Sequence, residues 1–148
     1  MEFTVKDELV SAAAAEGYAG KMGFSTVEVS PGRAVVEMLP GEDDENIFGY
    51  IHGGALSALI DEAFQLACNS HGTIAVALNI NVAFHSPAVK GVRLRAEARE
   101  CYLGRRTGTY SIKVHDTHGK LIATCQATAY RKNTPLPFLS EHLKKAMK

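Results

Sequence analysis

The run from Gly54 to about Cys68 constrains the fold most strongly, because it is apolar on nearly every face. Apolar residues recur in it three or four positions apart, which is the spacing of an α-helix. Asn69 to Gly72 then supplies residues typical of a helix C-terminus. A helix with so little polar surface must be buried, so the pattern predicts a central helix over about residues 53–70. The apolar positions are Leu56, Leu59, Ile60, Ala63, Phe64 and Ala67.

Strand-like segments flank this helix on both sides. Ser25 to Ser30 and Arg33 to Leu39 are joined by a Pro31-Gly32 turn, which predicts a hairpin. Four longer segments follow the helix, and we interpret them as a meander of antiparallel strands. A sheet that wraps a central helix makes the predicted fold class α+β. The four segments span residues 73–84, 91–102, 107–116 and 120–131.

The two ends of the chain are predicted to add short helices to this sheet. The Ala-rich segment predicts a helix over about residues 6–17, ended by Gly17. The tail over about residues 133–148 contains one amphipathic segment, residues 139–147, with lysines at its C-terminal end. A chain of 148 residues is most simply one domain with its own core.

Composition excludes several classes of function. The 16 basic side chains balance the 16 acidic ones, so the basic excess of a dedicated nucleic-acid binder is missing. No apolar run reaches the roughly 18 residues of a membrane span, and the charged first residues do not form a signal peptide. Three widely spaced cysteines indicate reduced thiols rather than a disulfide framework. We therefore expect a cytoplasmic protein.

The loop before the central helix carries the first candidate site residues. Gly53 and Gly54 open the helix, where backbone N–H groups lack intrahelical acceptors and the helix dipole favours negative charge. The Gly53 N–H is therefore a candidate donor to an oxyanion. Two adjacent glycines also suit a tight loop-to-helix turn. His52 and Asp61 nearby favour the catalytic interpretation.

Asp61 is the strongest single candidate for a catalytic group. It interrupts the apolar helix, and a carboxylate in such surroundings costs free energy unless it is paired or functional. We expect it to act as a nucleophile or general base, with Glu62 as the less favoured substitute. The alternative is a pair of solvated acids on an exposed edge of the helix.

The spacing between Gly53 and Asp61 bears on assembly. Eight residues of α-helix separate them by about 12 Å, which is too far for both to act on one carbonyl group. Two copies related by a two-fold axis would place Gly53 of one subunit against Asp61 of the other, twice. The spacing therefore predicts a homodimer with shared active sites.

The order of elements and one motif resemble a known family. The motif consists of Asn46, Gly49, the His52-Gly53-Gly54 triplet and Asp61, and a Phe84 to Ala88 turn follows later in the chain. Together they resemble the hotdog-fold acyl-CoA thioesterases, in the branch that contains the phenylacetate-pathway thioesterase. The resemblance implies hydrolysis of an acyl- or aryl-acyl-CoA without metal or organic cofactor, coenzyme A being part of the substrate. It also implies sites at a dimer interface, often in tetramers made of two dimers.

The resemblance also assigns roles to further residues. It implies that Asn46 orients the carbonyl or the water, and that His52 lies near the thioester. Both residues are also common helix caps or loop formers. The Gly104 to Arg106 turn is expected to border the coenzyme, whose phosphates need cations. The predicted substrate-binding set is Gly54, Asn81, Phe84, His85, Ser86, Pro87, Tyr102, Gly104, Arg105, Arg106 and Arg131.

One strand complicates the hydrolytic detail. Strict alternation in residues 73–84 would place Ala77, Asn79 and Asn81 on one face. Some relatives carry a hydroxyl residue at the position of Ala77. If that hydroxyl group positions water in the relatives, Asn79 or Asn81 would have to replace it here. Alternatively, the two asparagines have no catalytic role and form hydrogen bonds only within the sheet.

Three other functions are alternatives to hydrolysis. A hotdog hydratase or dehydratase shares the fold, but the Pro-Gly helix entry expected of carrier-dependent dehydratases is replaced by Gly53-Gly54-Ala55-Leu56. A non-catalytic acyl-CoA binding module would keep the cations and need no acid at Asp61. A metal site at His115, Asp116 and His118 is disfavoured, because those residues fall on a predicted hairpin turn.

Overall fold

A 17-residue helix from Gly53 to Asn69 occupies the concave side of a single antiparallel sheet. The structure is a computed structural model that describes residues 3–148, so Met1 and Glu2 lie outside the described residues. In chain order the elements are α1 (Val5–Ala15), α2 (Gly17–Met22), β1 (Ser25–Ser30), β2 (Arg33–Met38), a 3-10 turn (Glu42–Asp44), α3 (Gly53–Asn69), β3 (Thr73–Phe84), β4 (Leu94–Leu103), β5 (Thr107–Asp116), β6 (Leu121–Pro135) and α4 (Glu141–Ala146).

The predicted central helix, first hairpin and α+β class are confirmed, with differences at the ends. Gly17 does not end the first helix. The backbone is extended at Glu16 and then continues as α2, which ends at Gly23 with a φ of 70°. The last strand runs to Pro135 instead of residue 131, and the final helix is shorter than predicted. The extended Glu16 matters later, because it brings a carboxylate toward α3.

The predicted meander of four strands is wrong in one respect. The sheet order is β1-β2-β4-β5-β6-β3, so β3 pairs with β6 and not with β4. The reason is that β2 pairs along one side of β4 and β5 along the other, which leaves β3 the free side of β6. All neighbouring strands are antiparallel. As a result β3, which follows α3 directly, forms an edge of the sheet.

Packing of α3 on the sheet depends on small side chains in the strands. Ala96 and Ala98 of β4 and Ala127 and Ala129 of β6 are all buried beneath the helix side of the sheet. They leave room for large residues of α3, such as Phe64, whose ring meets that of Tyr110 edge-on with centroids 5.4 Å apart. Aromatic pairs favour this edge-on arrangement. The close approach fixes both ends of α3 relative to the sheet.

The C-terminal end of α3 is tied to β3 by one side chain. The Asn69 amide nitrogen donates to the Gln65 and Ala75 carbonyl oxygens at 2.9 and 3.0 Å, and its oxygen accepts from the Ala75 N–H at 2.9 Å. Asn69 therefore links the last turn of the helix to the backbone at the start of the next strand. This link sets the position of β3 beside the helix.

Glu62 is the buried acid of α3, contrary to the expectation that Asp61 would be. Glu62 is 5% exposed, whereas Asp61 lies in the exposed part of the helix surface. Burial, followed by the charge and hydrogen bond of the neighbouring Glu16 carboxyl, raises the pKa of Glu62 to about 7. Two carboxyl groups can hydrogen-bond only if one of them carries a proton. At mildly acidic pH, therefore, one proton is held between the Glu16 and Glu62 carboxyl groups, and Glu62 is neutral.

In the described chain, no helix is long and apolar enough to cross a membrane.

We predict that Glu62→Gln makes stability less dependent on pH. The folded pKa of about 7 lies above the ordinary value of 4.5, so the folded state holds this proton more tightly. Wild-type stability should therefore be fully retained below pH 4.5 and fall as the pH rises from there through 7. The neutral amide avoids this loss, and we expect it to increase the free energy of unfolding at pH 8 by about 3 kcal/mol relative to wild type. Urea unfolding at pH 5 and pH 8 measures this.

Glu141→Gln, which removes a carboxylate from the exposed surface of α4, is the matched control. It should leave the difference between the two pH values as in wild type. Identical pH profiles for wild type and Glu62→Gln would contradict the burial of a raised-pKa carboxyl at this position.

Candidate active site

His52 is the N-cap of α3. Its Nδ1 accepts the Gly54 N–H at 2.8 Å, and its own N–H donates to the Asp44 carbonyl at 2.7 Å. Because Nδ1 accepts a bond, the neutral imidazole carries its proton on Nε2. The ring is exposed, so this Nε2–H is directed to solvent and can donate to a ligand. The structure thus gives His52 the capping role and leaves it one free donor.

Gly53 and Gly54 at the start of α3 have different structural roles. A Cβ on Gly54 would lie 2.9 Å from His52 Nδ1, so Gly54 makes room for the cap. The Gly53 N–H, by contrast, has no acceptor within residues 3–148. Gly53 also faces the Phe84 ring, which would come within 3.2 Å of an added Cβ. Of the two N–H groups that open the helix, only that of Gly53 is available to a ligand.

Asn46 forms the loop that leads to His52. Its side-chain oxygen accepts the N–H groups of Phe48 and Tyr50 at 2.9 and 3.1 Å, and its backbone N–H donates to the Tyr50 carbonyl. Gly49, with a φ of 78°, allows the tight return of the chain. The Asn46 amide nitrogen takes no part in these bonds. It is therefore a second polar donor beside Gly53.

These residues border a cleft that we name the glycine cleft. It has a volume of about 410 Å3 and lies between the 46–51 loop, the start of α3 and the Phe84 to Ala88 turn. The Ile51 N–H donates to the Ala88 carbonyl at 2.8 Å, which fixes the turn to the loop. The His85 ring lies 2.7 Å from the Thr124 hydroxyl. The lining residues from the predicted set are Asn46, Gly53, Phe84, His85, Ser86 and Pro87.

Asp61 lies in a different cleft, which we name the acid cleft. Its volume is about 540 Å3, and its walls come from α1, α3, the start of β3 and residues 136–138. Asp61, Phe64, Gln65 and Cys68 face it from α3 at the spacing of one helix face. Partial desolvation, and then the negative charge of Glu16, raise the pKa of Asp61. The cleft thus holds a carboxylate that is more basic than an ordinary one.

Within one chain the two clefts are separate. They share no lining residue, and Gly53 and Asp61 stand about 12 Å apart along α3. The glycine cleft contains the predicted oxyanion donor, Gly53, without Asp61, and the acid cleft contains Asp61 without that donor. One chain alone therefore does not bring the predicted catalytic residues together.

The arginine-containing turn lies at the acid-cleft end of the sheet. The Arg131 N–H donates to the Arg106 carbonyl, and the Arg131 guanidinium to the Gly104 carbonyl, at 2.7 and 2.8 Å. Since Arg131 pairs with Ala75 at the start of β3, nine strand residues, or about 30 Å, separate it from Phe84. Within one chain, the structure does not bring this turn together with the Phe84 to Ala88 turn.

Some residues of this turn are held by contacts within the protein, and others are exposed to solvent. The guanidinium of Arg131 holds the turn closed, and Gly104 packs so closely on the Tyr102 ring that a Cβ would come within 2.9 Å. Arg105 and Arg106 are exposed, and Arg106 only approaches the Tyr130 hydroxyl at 3.5 Å. The two exposed guanidinium groups are the cations available to a ligand.

The predicted shared face of Ala77, Asn79 and Asn81 is wrong. A register shift between Ala77 and Asn79 inserts one extra residue into β3, so Ala77 pairs with the inward-facing Ala129 and Asn81 with the exposed Gln126. A bulge of this kind reverses the alternation of the strand. Ala77 lines the acid cleft, whereas Asn79 and Asn81 lie on the opposite side of the sheet. Asn81 is therefore not brought to either cleft.

Sequence reasoning missed the walls of the acid cleft. Glu16, Ala12 and Phe138 all line it, yet they lie far from α3 in the chain. The run of four alanines before Glu16 predicted a helix there but gave no sign of a cleft. The His115 to His118 segment is, as predicted, a turn: Asp116 accepts the His118 and Lys120 N–H groups at 2.9 and 3.0 Å.

Comparison with known proteins identifies the family of this chain. A family model described as Thioesterase superfamily matches residues 48–123, just over half of the chain. The acyl-coenzyme A thioesterase PaaI of Escherichia coli is 34% identical over 110 residues, which cover 74% of this chain and 79% of the relative. Human acyl-coenzyme A thioesterase 13 is 28% identical over 113 residues, covering 74% and 81%.

Solved structures support the same fold. The E. coli PaaI protein of the phenylacetic acid degradation operon superposes with a TM-score of 0.81 at 30% identity, covering 86% of this chain and 96% of the other. The TT0310 protein of Thermus thermophilus superposes with a TM-score of 0.76 at 39% identity, covering 78% and 97%. The predicted hotdog fold is confirmed, and the chain belongs to the thioesterase superfamily, where its relatives are the PaaI-like enzymes.

Proposed function

We propose that this protein hydrolyses acyl- or aryl-acyl-CoA thioesters to free acid and CoA. The observation that carries the proposal is the free Gly53 N–H at the start of α3, beside the exposed Nε2 of His52 and a cleft of about 410 Å3. The names of the relatives in E. coli and human specify acyl-coenzyme A thioesters. A thioester carbonyl seated at Gly53 would meet a donor aimed at its oxygen.

The Gly53 N–H stabilises the charge that develops during attack. As a nucleophile adds to the thioester carbon, the carbonyl oxygen becomes an oxyanion at the positive end of α3. The N–H needs no reorganisation, because no protein acceptor in the described chain competes for it. A donor held in this way favours the transition state over the ground state.

Asp61 supplies the attack. As a general base it removes a proton from water while the oxygen forms a bond to the carbonyl carbon; the C–S bond then breaks and CoA leaves as a thiolate. As a nucleophile it forms an acyl anhydride that water then hydrolyses. The raised pKa makes the carboxylate more basic in either role.

His52 and Asn46 act in support. The Nε2–H of His52 is placed to donate to the departing sulfur, since Nδ1 is engaged by Gly54. The free amide nitrogen of Asn46 is placed to donate to the carbonyl or to the attacking water. Both groups are fixed by backbone bonds, so they hold their geometry before the substrate arrives.

The complete site requires a second copy of the chain. β3 is an unpaired edge of 12 residues with exposed apolar side chains, Val76 at 41%, Leu78 at 58% and Ile80 at 37%. Proteins cover such edges, and a two-fold antiparallel pairing of β3 with its copy does so. That pairing brings the Phe84 end of one strand to the Ala75 end of the other. It therefore unites the glycine cleft with Asp61 of the partner subunit.

The same pairing completes the coenzyme site. Since the arginine turn lies at the acid-cleft end, Arg105 and Arg106 of the partner subunit approach the glycine cleft. Their guanidinium groups suit the coenzyme phosphates.

Exposed Ile47 and Phe48, at 92% and 75%, are apolar enough to belong to a further contact, such as that between two dimers in a tetramer. The unpaired thiols of Cys68, Cys101 and Cys125 fit a reducing cytoplasmic location.

Replacing Asp61 tests the chemistry. The wild-type protein should release thiol from at least one member of a panel of aryl-, phenylacetyl- and straight-chain acyl-CoAs. Asp61→Asn should remain folded and should lower kcat/KM for that substrate by at least about 100-fold. Glu62→Gln, which changes the neighbouring acid on the same helix, is the matched control and should stay within about threefold of wild type. Full activity in Asp61→Asn, or no thiol release by wild type from any substrate, would refute the proposal.

Replacing Gly53 tests the oxyanion donor. Gly53→Pro removes the N–H at the first helical position, where proline is favoured, and His52 already has the ψ of 136° that precedes proline. Gly53→Ala keeps the N–H but adds the same Cβ against Phe84. We expect a loss in kcat of about 100-fold or more for proline and a much smaller loss for alanine. Equal losses in the two variants would mean that crowding at Phe84 is responsible.

Mixing the two inactive variants tests the shared site. A dimer of Gly53→Pro and Asp61→Asn subunits contains one intact site and one doubly defective site. Random exchange should therefore restore about a quarter of wild-type activity, half of the dimers having half of their sites. Exchange is followed with two affinity tags. No recovery despite proven exchange would place each site within one chain.

A further inference from the structure

Three of the polar side chains in the wall of the acid cleft, those of Glu16, Gln65 and Asn69, form hydrogen bonds within the protein. The Gln65 amide donates to Glu16 Oε2 at 2.7 Å, and the Asn69 side chain is engaged by Gln65 and Ala75. Within the described chain, Asp61 alone among these polar residues has no hydrogen-bond partner. Most of the other lining residues are apolar, among them Leu9, Phe64 and Phe138. A ligand of this cleft therefore meets the Asp61 carboxylate at one place and mainly hydrocarbon around it.

The outer wall of the acid cleft is thin. A second cleft of about 440 Å3 lies on the other side of it, and the two clefts share Ala12, Ala15 and Phe138. The second cleft contains no residue of α3 or β3, so this shared wall lies on the side remote from Asp61. Phe138 is 45% exposed between the buried Leu136 and Leu139. The buried residues on either side hold the Phe138 backbone in place, and the Phe138 ring lies between the acid cleft and the second cleft.

We propose that the acid cleft holds the acyl chain of the substrate, and that Phe138 and Ala12 determine how long a chain it accepts. The inference rests on the proposed function, in which Asp61 meets the thioester carbon. Once the carbonyl carbon is at Asp61 and the coenzyme lies on the glycine side, the acyl chain extends into the acid cleft. Ala12 sets the width of the cleft, and the Phe138 ring closes its end.

The size and chemistry of the cleft identify the substrate class. A volume of about 540 Å3 is that of a small-molecule site and far exceeds what an acetyl group fills. Since most of the lining side chains other than Asp61 are apolar, the cleft favours a hydrocarbon chain. The substrate is therefore a thioester of an apolar acid with an extended chain. Neither α1 nor Phe138 lies within residues 48–123, which match the family model, so this selectivity belongs to the flanking parts of the chain.

Chain-length profiles of wild type and three variants test the inference. Values of kcat/KM are measured for straight-chain substrates from acetyl- to dodecanoyl-CoA, and Kd by calorimetry for the corresponding non-hydrolysable S-alkyl-CoA thioethers. For wild type, both should improve by about fourfold for each buried methylene until the cleft is full. Ala12→Leu narrows the cleft and should lower the dodecanoyl-to-butanoyl ratio of kcat/KM at least tenfold. Phe138→Ala opens the end wall and should raise that ratio severalfold.

Ala14→Leu is the matched control, because Ala14 is exposed on the same helix and lines neither cleft. It should leave the ratio within about twofold of wild type. Hydrolysis with a flat length profile, or a profile that neither Ala12→Leu nor Phe138→Ala changes, would overturn the acyl site and leave the proposed hydrolysis standing. Length-dependent thioether binding without hydrolysis of any substrate would support the acyl site and refute the hydrolysis.

Discussion

Burial of α3 against the sheet is the constraint on which the other features depend. The helix is apolar enough to be enclosed, and small residues such as Ala96 and Ala129 allow the strands to approach it closely. The enclosure leaves its first residue and one stripe of side chains at the surface, and these are Gly53 and the face that carries Asp61. A rigid helix therefore sets both the orientation of the Gly53 N–H, the proposed oxyanion donor, and its distance from Asp61.

The packing of α3 on the sheet also explains why its two adjacent acids, Asp61 and Glu62, differ in burial. Successive residues of an α-helix point about 100° apart, so Glu62 is turned into the packed interior while Asp61 faces a cleft. The sequence pattern identified an acid in an apolar run, but which of two adjacent acids is buried depends on where the sheet lies. Burial raises the pKa of both Asp61 and Glu62, and the extended backbone at Glu16 adds a third carboxyl whose charge raises both further.

Features with a local cause were predictable from the sequence. The central helix and the first hairpin follow from residue periodicity and from turn residues, and their predicted bounds match the structure closely. The position of β3 does not follow, because pairing with β6 depends on β2 having filled one side of β4. The bulge after Ala77 was equally hidden, since alternation in the sequence continues through it. The acid cleft joins segments more than a hundred residues apart, which no local pattern links.

The proposed division of labour within the chain has a physical basis. The groups assigned to chemistry sit on or beside α3, where packing against the sheet holds them rigidly. The groups assigned to acyl selectivity come from α1 and the segment after β6, which are attached to the outside of that core. A change of side chain at Ala12 or Phe138 alters the volume of a cleft without moving the helix that carries Asp61. Specificity in such an arrangement is set by transfer of methylene groups from water, at about 0.8 kcal/mol each, while the barrier to hydrolysis is set by the donor and the acid. The two can therefore vary independently, because they depend on different parts of the structure.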